Sequence, residues 1–151
     1  MIKIEIKEWK KRLKNCRNLE TEEEFDEFDK LISMVTGKEG EEVFLALLDA
    51  IQPLEDHGVY ETLHNAFWKF DPEIFCNSFV NGFPELTKRV PAEYDQIGRF
   101  LCPLCGWARK KYLPIFLEVI KSTSPQKRNL IKRWFLENTE WFGDENILES
   151  V

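Results

Sequence analysis

Glycine is scarce in this chain, with seven in 151 residues. All-β folds and phosphate-cradling loops both need more flexible turns than that, so neither is expected. Histidine is scarcer still, at two, which leaves little for acid–base chemistry or a histidine-based metal site. No apolar run approaches the roughly 18 residues of a membrane span. The opening "MIKIEIKEWKKRLK" breaks its apolar residues with charge from the third position onward, unlike a secretory leader. Four cysteines (Cys16, Cys76, Cys102, Cys105) without an export signal read as reduced thiols rather than a disulfide framework. The expected location is the cytoplasm.

What is present points to one soluble helical domain. Hydrophobic residues at 43% and charged residues at 32% suit a globular chain, and the length allows one well-formed core. Twelve Phe and five Trp make that core, or an interface, rich in aromatics. The net charge of −6 conceals a division. Residues 1–17 carry seven Lys/Arg against Glu5 and Glu8, whereas residues 18–61 carry fourteen Asp/Glu against Lys30 and Lys38. So concentrated an acidic block disfavours direct nucleic-acid binding, because phosphates need the opposite sign. It favours a basic protein partner, with electrostatic steering as the benefit. A solvated face on ordinary charged helices is the plainer explanation of the same block.

Apolar residues recur at helical spacing through almost the whole chain. Ile2, Ile6, Trp9, Leu13 and Cys16 share one face of a basic N-terminal helix within residues 1–17, although Ile2, Ile4 and Ile6 also alternate as in a short strand. Thr21 and Glu24 form a capping-box pattern ahead of a buried stripe of Phe25, Phe28, Ile32 and Val35, with Gly37 as the stop. Phe44, Leu47, Leu48 and Ile51 mark the next helix, and Tyr60, Leu63, Phe67 and Phe70 the one after. Asp71 and Pro72 read as N-cap and first helical residue. Pro84 is expected to open a separate short piece, Pro91 a helix with Tyr94, Ile97 and Leu101 inward, and Pro114 a new or kinked helix. Ser124 and Pro125 repeat the cap-plus-proline device, and residues 144–151 read as a loose tail. Seven or eight short helices with short connections predict antiparallel hairpins, stacked as in a HEAT-like α-solenoid. The Phe44-to-Phe83 spacing suggests such a repeat without establishing one.

Chemistry-bearing residues are few. Cys102 and Cys105 have Cys-x-x-Cys spacing, but a structural zinc needs two more ligands, and His57, His64, Cys16 and Cys76 offer no second close pair. A thioredoxin-like pair would start a helix after a strand, whereas this one ends a helical pattern, where the dipole opposes the thiolate. Two small apolar side chains flanking the Pro103 bend, released by Gly106, is the preferred reading. His64 sits beside an apolar face and reads as a packed, hydrogen-bonded histidine, His57 as an exposed one. Ser78 or Cys76 could meet His64 only through the tertiary fold, and nothing local supports a nucleophile–base pair. The "ARKK" run at 108–111 is short for a nucleic-acid site. Trp68, Trp134 and Phe135 lie in helical stripes and read as core. Trp141 and Phe142 read as core or as a clamp on the last helix, with an interface anchor as the other possibility. No catalytic residue, cofactor or firm metal ligand is assigned.

The stretch "LEDHGVYETLHNAFWKFDPEIFCNSFVNGFPELTKRVPAEYDQIGRFLCPL" (54–104) resembles the small α-helical immunity proteins of bacterial polymorphic and contact-dependent toxin systems, and within them the immunity protein 30 group. The likeness lies in the helix opening at Asp56, Gly58 and Val59, the Phe-rich helix after it and the "FPELTKRVP" turn. The basic N-terminal helix and the cysteine pair have no counterpart in that pattern. The resemblance implies a cytoplasmic, non-enzymatic antitoxin that occludes a cognate protein toxin, basic nuclease domains being one such class. With the charge pattern it places the contact on the acidic block, at Glu22, Glu23, Asp26, Glu41, Glu42, Glu55 and Asp56. No nucleic acid or membrane is engaged directly in that scheme. A helical scaffold or adaptor unrelated to toxins is the first alternative, and a zinc or thiol protein using Cys102 and Cys105 the second.

Overall fold

Helix starts are where side chains most visibly set the local structure. Thr21 accepts a hydrogen bond from the Glu24 amide (3.1 Å) and Glu24 accepts one from the Thr21 amide (3.2 Å), closing the capping box foreseen from sequence. Ser124 accepts from the Lys127 amide in the same way. Asp71 does occupy an N-cap position, but its side chain makes no capping bond, so Pro72 alone shapes that start.

The computed structural model describes residues 2–54, 58–91, 96–104, 106–138 and 148–151. Within them lie α1 (Ile6–Cys16), α2 (Glu22–Ser33), α3 (Glu41–Ala50), α4 (Tyr60–Phe67), α5 (Pro72–Arg89), α6 (Gln96–Phe100), α7 (Arg109–Ser122) and α8 (Pro125–Glu137). A 3₁₀ turn spans Cys102–Leu104. No strand occurs among the described residues, and the fold is all-α in one domain. The alternation of Ile2, Ile4 and Ile6 therefore does not make a strand. Ile2 is buried beside the core, and α1 starts at Ile6.

Neighbours in sequence run antiparallel. The Trp9 indole N–H donates to the Leu31 carbonyl (2.9 Å) and Arg12 to Glu27 (2.6 Å), so α1 ascends as α2 descends. Phe44 near the start of α3 meets Phe67 and Phe70 at and beyond the end of α4, with ring centroids 5.0 and 5.2 Å away. Next-but-one helices run parallel. Phe44 meets Phe75 (5.5 Å), Phe75 meets Tyr112 (5.3 Å) and Phe79 meets Phe116 (5.9 Å), which aligns α3, α5 and α7. Thr62 donates to Asp29 (2.8 Å) and Lys69 to the Val35 carbonyl (3.0 Å), which aligns α4 with α2. The result is one row of α1, α3, α5 and α7 laid against a second of α2, α4 and α6. In this stack Phe44 is matched by Phe75 and Tyr112, not by Phe83 as the sequence spacing suggested. Phe83 instead meets Trp134 on α8, which with Phe135 covers the ends of α5 and α7.

Pro84 differs from expectation, whereas Pro114 lies within a helix, as the kinked alternative allowed, and one reason serves both. α5 continues through Pro84 to Arg89, and α7 starts at Arg109, upstream of Pro114. A helix-interior proline costs about 3 kcal/mol. The buried stripes span both positions, with Phe79, Phe83 and Leu86 in α5 and Tyr112, Phe116 and Ile120 in α7. Each such burial is worth about 1.5–3 kcal/mol, so packing outweighs the missing backbone bond. The tail also departs from its expectation. Leu148 is buried, Val151 packs on the core, and the Lys132 ammonium donates to the Val151 carbonyl. The inward placement of Ile97 and Leu101 holds, while Tyr94 lies outside the described residues.

Glycine matters at two joints. Gly82 lets α5 close on α3, since a Cβ there would lie 2.6 Å from Leu48 Cδ1. Gly37 does not stop α2, which has already ended at Ser33. It has φ +88°, and a Cβ would lie 2.1 Å from the Lys69 carbonyl oxygen, so it brings the α2–α3 loop against the end of α4.

The exposed end of α3 is closed from a distance. Arg89, the last residue of α5, donates to the carbonyls of Ile51 (2.6 Å) and Leu48 (3.0 Å), the latter also accepting from the Ile51 amide (3.1 Å). Burial pulls its guanidinium below the ordinary pKa while Asp49 opposes that pull. Replacing Arg89 with Ala should lower unfolding free energy by about 2 kcal/mol in urea titrations. Arg89→Lys should recover only part of the loss, because one ammonium lacks the fork that reaches both carbonyls.

Candidate functional site

The acidic block does not fold into one acidic surface, because α1 is laid against it. Arg12 bonds Glu27 in a half-buried pair (2.6 Å), Arg17 bonds Asp49 (2.5 Å) and Lys10 approaches Glu42 (3.4 Å). The Arg12 hydrogen bond holds the Glu27 carboxyl below the usual range despite some burial. Glu24 is occupied by the capping box, and Asp29 by Thr62.

The expected contact residues are therefore separated. Glu22, Glu23 and Asp26 lie exposed on the first turns of α2, and none has an ion-pair partner among the described residues. Glu41 and Glu42 lie on α3 in the other row. There Glu41 accepts from Asn81 (2.7 Å) and Glu42 faces Lys10. Glu55 and Asp56 lie outside the described residues. Of these expected contacts, the ones left unpaired among the described residues thus reduce to the outer face of α2, at the helix end where backbone amides already favour negative charge.

The thiols and histidines sit apart from that face. Cys16 and Cys76 are buried, and burial pushes their thiols up to about 11 and about 12. Cys76 donates to the Tyr112 carbonyl across α5 and α7 (3.8 Å). Cys102 is half-buried in the 3₁₀ turn, where the Gly106 amide donates to its carbonyl (2.8 Å), so a helix-end bend is what this stretch builds. Its companion Cys105 lies outside the described residues, as do His57, Trp141 and Phe142. Among the described residues no three His, Cys, Asp or Glu side chains gather as a metal site would need. His64 is buried with its ring 6.4 Å from that of Tyr60, consistent with a packed histidine. Ser78 is buried in α5.

Four concavities stand out on the described surface, the smallest of them (340 Å³) between α5 and α8. A 510 Å³ groove between α1 and α3 is lined by Lys10, Lys11, Lys14, Arg17, Leu45 and Asp49, and a 550 Å³ groove between α5 and α7 by Asn77, Asn81, Ile115, Glu118 and Val119. The third, 390 Å³, opens where the α2–α3 loop, the α4–α5 junction and the start of α7 meet. Over it stands Trp107, 68% exposed, which no helical stripe contains and which the sequence reading therefore passed over. Its signal was positional, directly after Gly106 and before the basic "ARKK" run. Trp68, expected in the core, is only half-buried and meets Trp107 edge-on at 6.0 Å, while Trp134 and Phe135 are buried as expected.

One wall of this third concavity is held by Glu39, which accepts from the Thr36 amide (2.7 Å), the Thr36 hydroxyl (2.8 Å) and the Gly37 amide (2.9 Å). Burial raises its pKa, and these bonds together lower it further, leaving it below the ordinary glutamate value. A carboxylate depressed in the folded state stabilises the fold above its unfolded pKa of about 4.3 and loses that contribution as pH falls through the folded value. Urea midpoints should therefore drop below about pH 4.3, and Glu39→Gln should shrink the drop. Thiol chemistry supplies a second check. Near neutral pH, Cys102 should be alkylated in the folded chain, while Cys16 and Cys76 should react only after unfolding, as read by peptide mass spectrometry.

No described helix is long and apolar enough to cross a membrane. Comparison of the chain with protein-family models, with curated proteins and with solved structures finds no match, so its function is read from the geometry.

Proposed function

We propose that this chain is a non-catalytic binding domain of the bacterial immunity type, which captures a basic protein toxin domain and blocks it by occlusion. One observation carries the reading: Glu22, Glu23 and Asp26 stand exposed on a rigidly capped helix start with no ion-pair partner among the described residues, while the acids beside α1 are neutralised. Unpaired like charges at a helix end add nothing to packing. They do speed and orient the approach of a basic partner. The likeness of residues 54–104 to immunity proteins supplies the class of that partner.

A helical adaptor is the second reading, favoured by the 550 Å³ groove between α5 and α7, whose wall mixes Ile115 and Val119 with Asn77 and Glu118.

The test is direct. The product of the reading frame adjacent to this one in the genome is purified as an inactive variant, and its association rate with this chain is measured as salt is raised. Immunity predicts fast, salt-sensitive capture. Glu22→Lys/Glu23→Lys/Asp26→Lys should slow association about tenfold or more and flatten the salt dependence. Glu42→Lys, beside Lys10 on α3, should leave it nearly unchanged. An association rate that the triple variant does not alter rejects the α2 face.

A further inference from the structure

The concavity under Trp107 has a different character from the α2 face. Trp107 and Leu136 are the large apolar side chains left exposed among the described residues, and Trp107 is the more exposed. It is held rather than dangling, since Trp68 meets its ring edge-on at 6.0 Å and Tyr112 at 6.3 Å. The wall beside it is stiffened by Gly37 against the Lys69 carbonyl, by the three bonds to Glu39, and by Lys69 on the Val35 carbonyl. Lys38 and Lys111 border the same space, both exposed and without an anionic partner among the described residues. Asp71 is the one acid among the described lining residues.

A seated indole in a preformed hollow is the usual form of a binding hot spot. A partner must cover the ring with apolar surface and answer the two ammonium groups with carboxylates. We infer that the Trp107 concavity, flanked by Lys38 and Lys111, is a docking site for an acidic protein segment that carries an apolar or aromatic side chain. Nucleic acid offers both stacking and negative charge, but the chain's net charge of −6 and the free acids on α2 repel a polyphosphate and tolerate a short peptide. This site is opposite in sign to the α2 face and shares no residue with it, so it stands or falls separately from the toxin-capture reading.

The experiment titrates the full chain calorimetrically with four probes: a short peptide of alternating Glu and Phe, the same peptide with Lys for Glu, polyglutamate, and oligo(dT). The Glu/Phe peptide should bind saturably, and more tightly than the other three. Trp107→Ala should weaken it about tenfold or more, as expected for a hot-spot Trp. Lys38→Glu/Lys111→Glu should do the same and remove the salt dependence, while Glu22→Lys/Glu23→Lys/Asp26→Lys should leave it unchanged. All three positions of the site are exposed, and unaltered circular dichroism and thermal midpoints would establish that these variants fold. The inference is overturned if the Glu/Phe peptide does not bind, if it binds equally well to the Trp107→Ala variant, or if the Lys/Phe peptide or oligo(dT) binds as tightly. Self-association of the chain that Trp107→Ala abolishes would overturn it too, by assigning the site to a second copy.

Discussion

Phe44 is the contact on which the stack depends. Its ring is fully buried and meets Phe67, Phe70 and Phe75 nearly edge-on, so one side chain of α3 joins the end of α4 to the start of α5. Edge-to-face pairs add about 0.5–1.5 kcal/mol each beyond area burial, and they fix orientation as well as distance. The line continues through Phe75 and Tyr112, then Phe79 and Phe116, and ends on Phe135 of α8. Aromatic richness in the composition thus becomes an interior spine running along the row of α3, α5 and α7. Because that spine holds α5 and α7 along their length, each helix tolerates a proline within it.

Charge is arranged around the spine in two opposite ways. Where α1 lies beside α2 and α3, basic and acidic residues cancel in exposed or half-buried pairs. Such pairs add little stability, and Lys11 and Lys14 leave the α1–α3 groove basic. Unpaired charges of opposite sign also lie toward the two ends of α2. Glu22, Glu23 and Asp26 occupy its start, and Lys38 lies in the loop beyond its finish. One helix therefore separates a negative face from a hollow that is positive and aromatic. Two such surfaces suit a domain that recognises other proteins, each with its own complementary partner chemistry.

Local signals were legible in the chain and were read correctly where one residue decides. Thr21 and Glu24, Ser124 before Pro125, and the buried faces of α3 and α4 follow from hydrogen-bonding capacity and a helical period, whereas on α2 Phe25 is only half-buried. Signals failed where neighbours far along the chain decide. Pro84 looks like a helix start until Phe83 and Leu86 are both found buried. Gly37 looks like a helix stop until the Lys69 carbonyl is found against it. Of the candidate site, the α2 acids are legible in the charge pattern, but their separation from Glu41 and Glu42 is not. Nor is Trp107, because an exposed aromatic at a loop end leaves no periodic trace.

The sequence by itself determined that this chain is helical, where most of its helices start, and which faces are apolar, since those depend on backbone sterics, capping groups and spacing within a few residues. Only the tertiary structure decided which helices run parallel, which acids meet α1, and that Trp68 and Tyr112 converge on Trp107. Those outcomes depend on contacts between residues distant in the chain, where hydrophobic burial is indifferent to order and only the complete packing selects one arrangement.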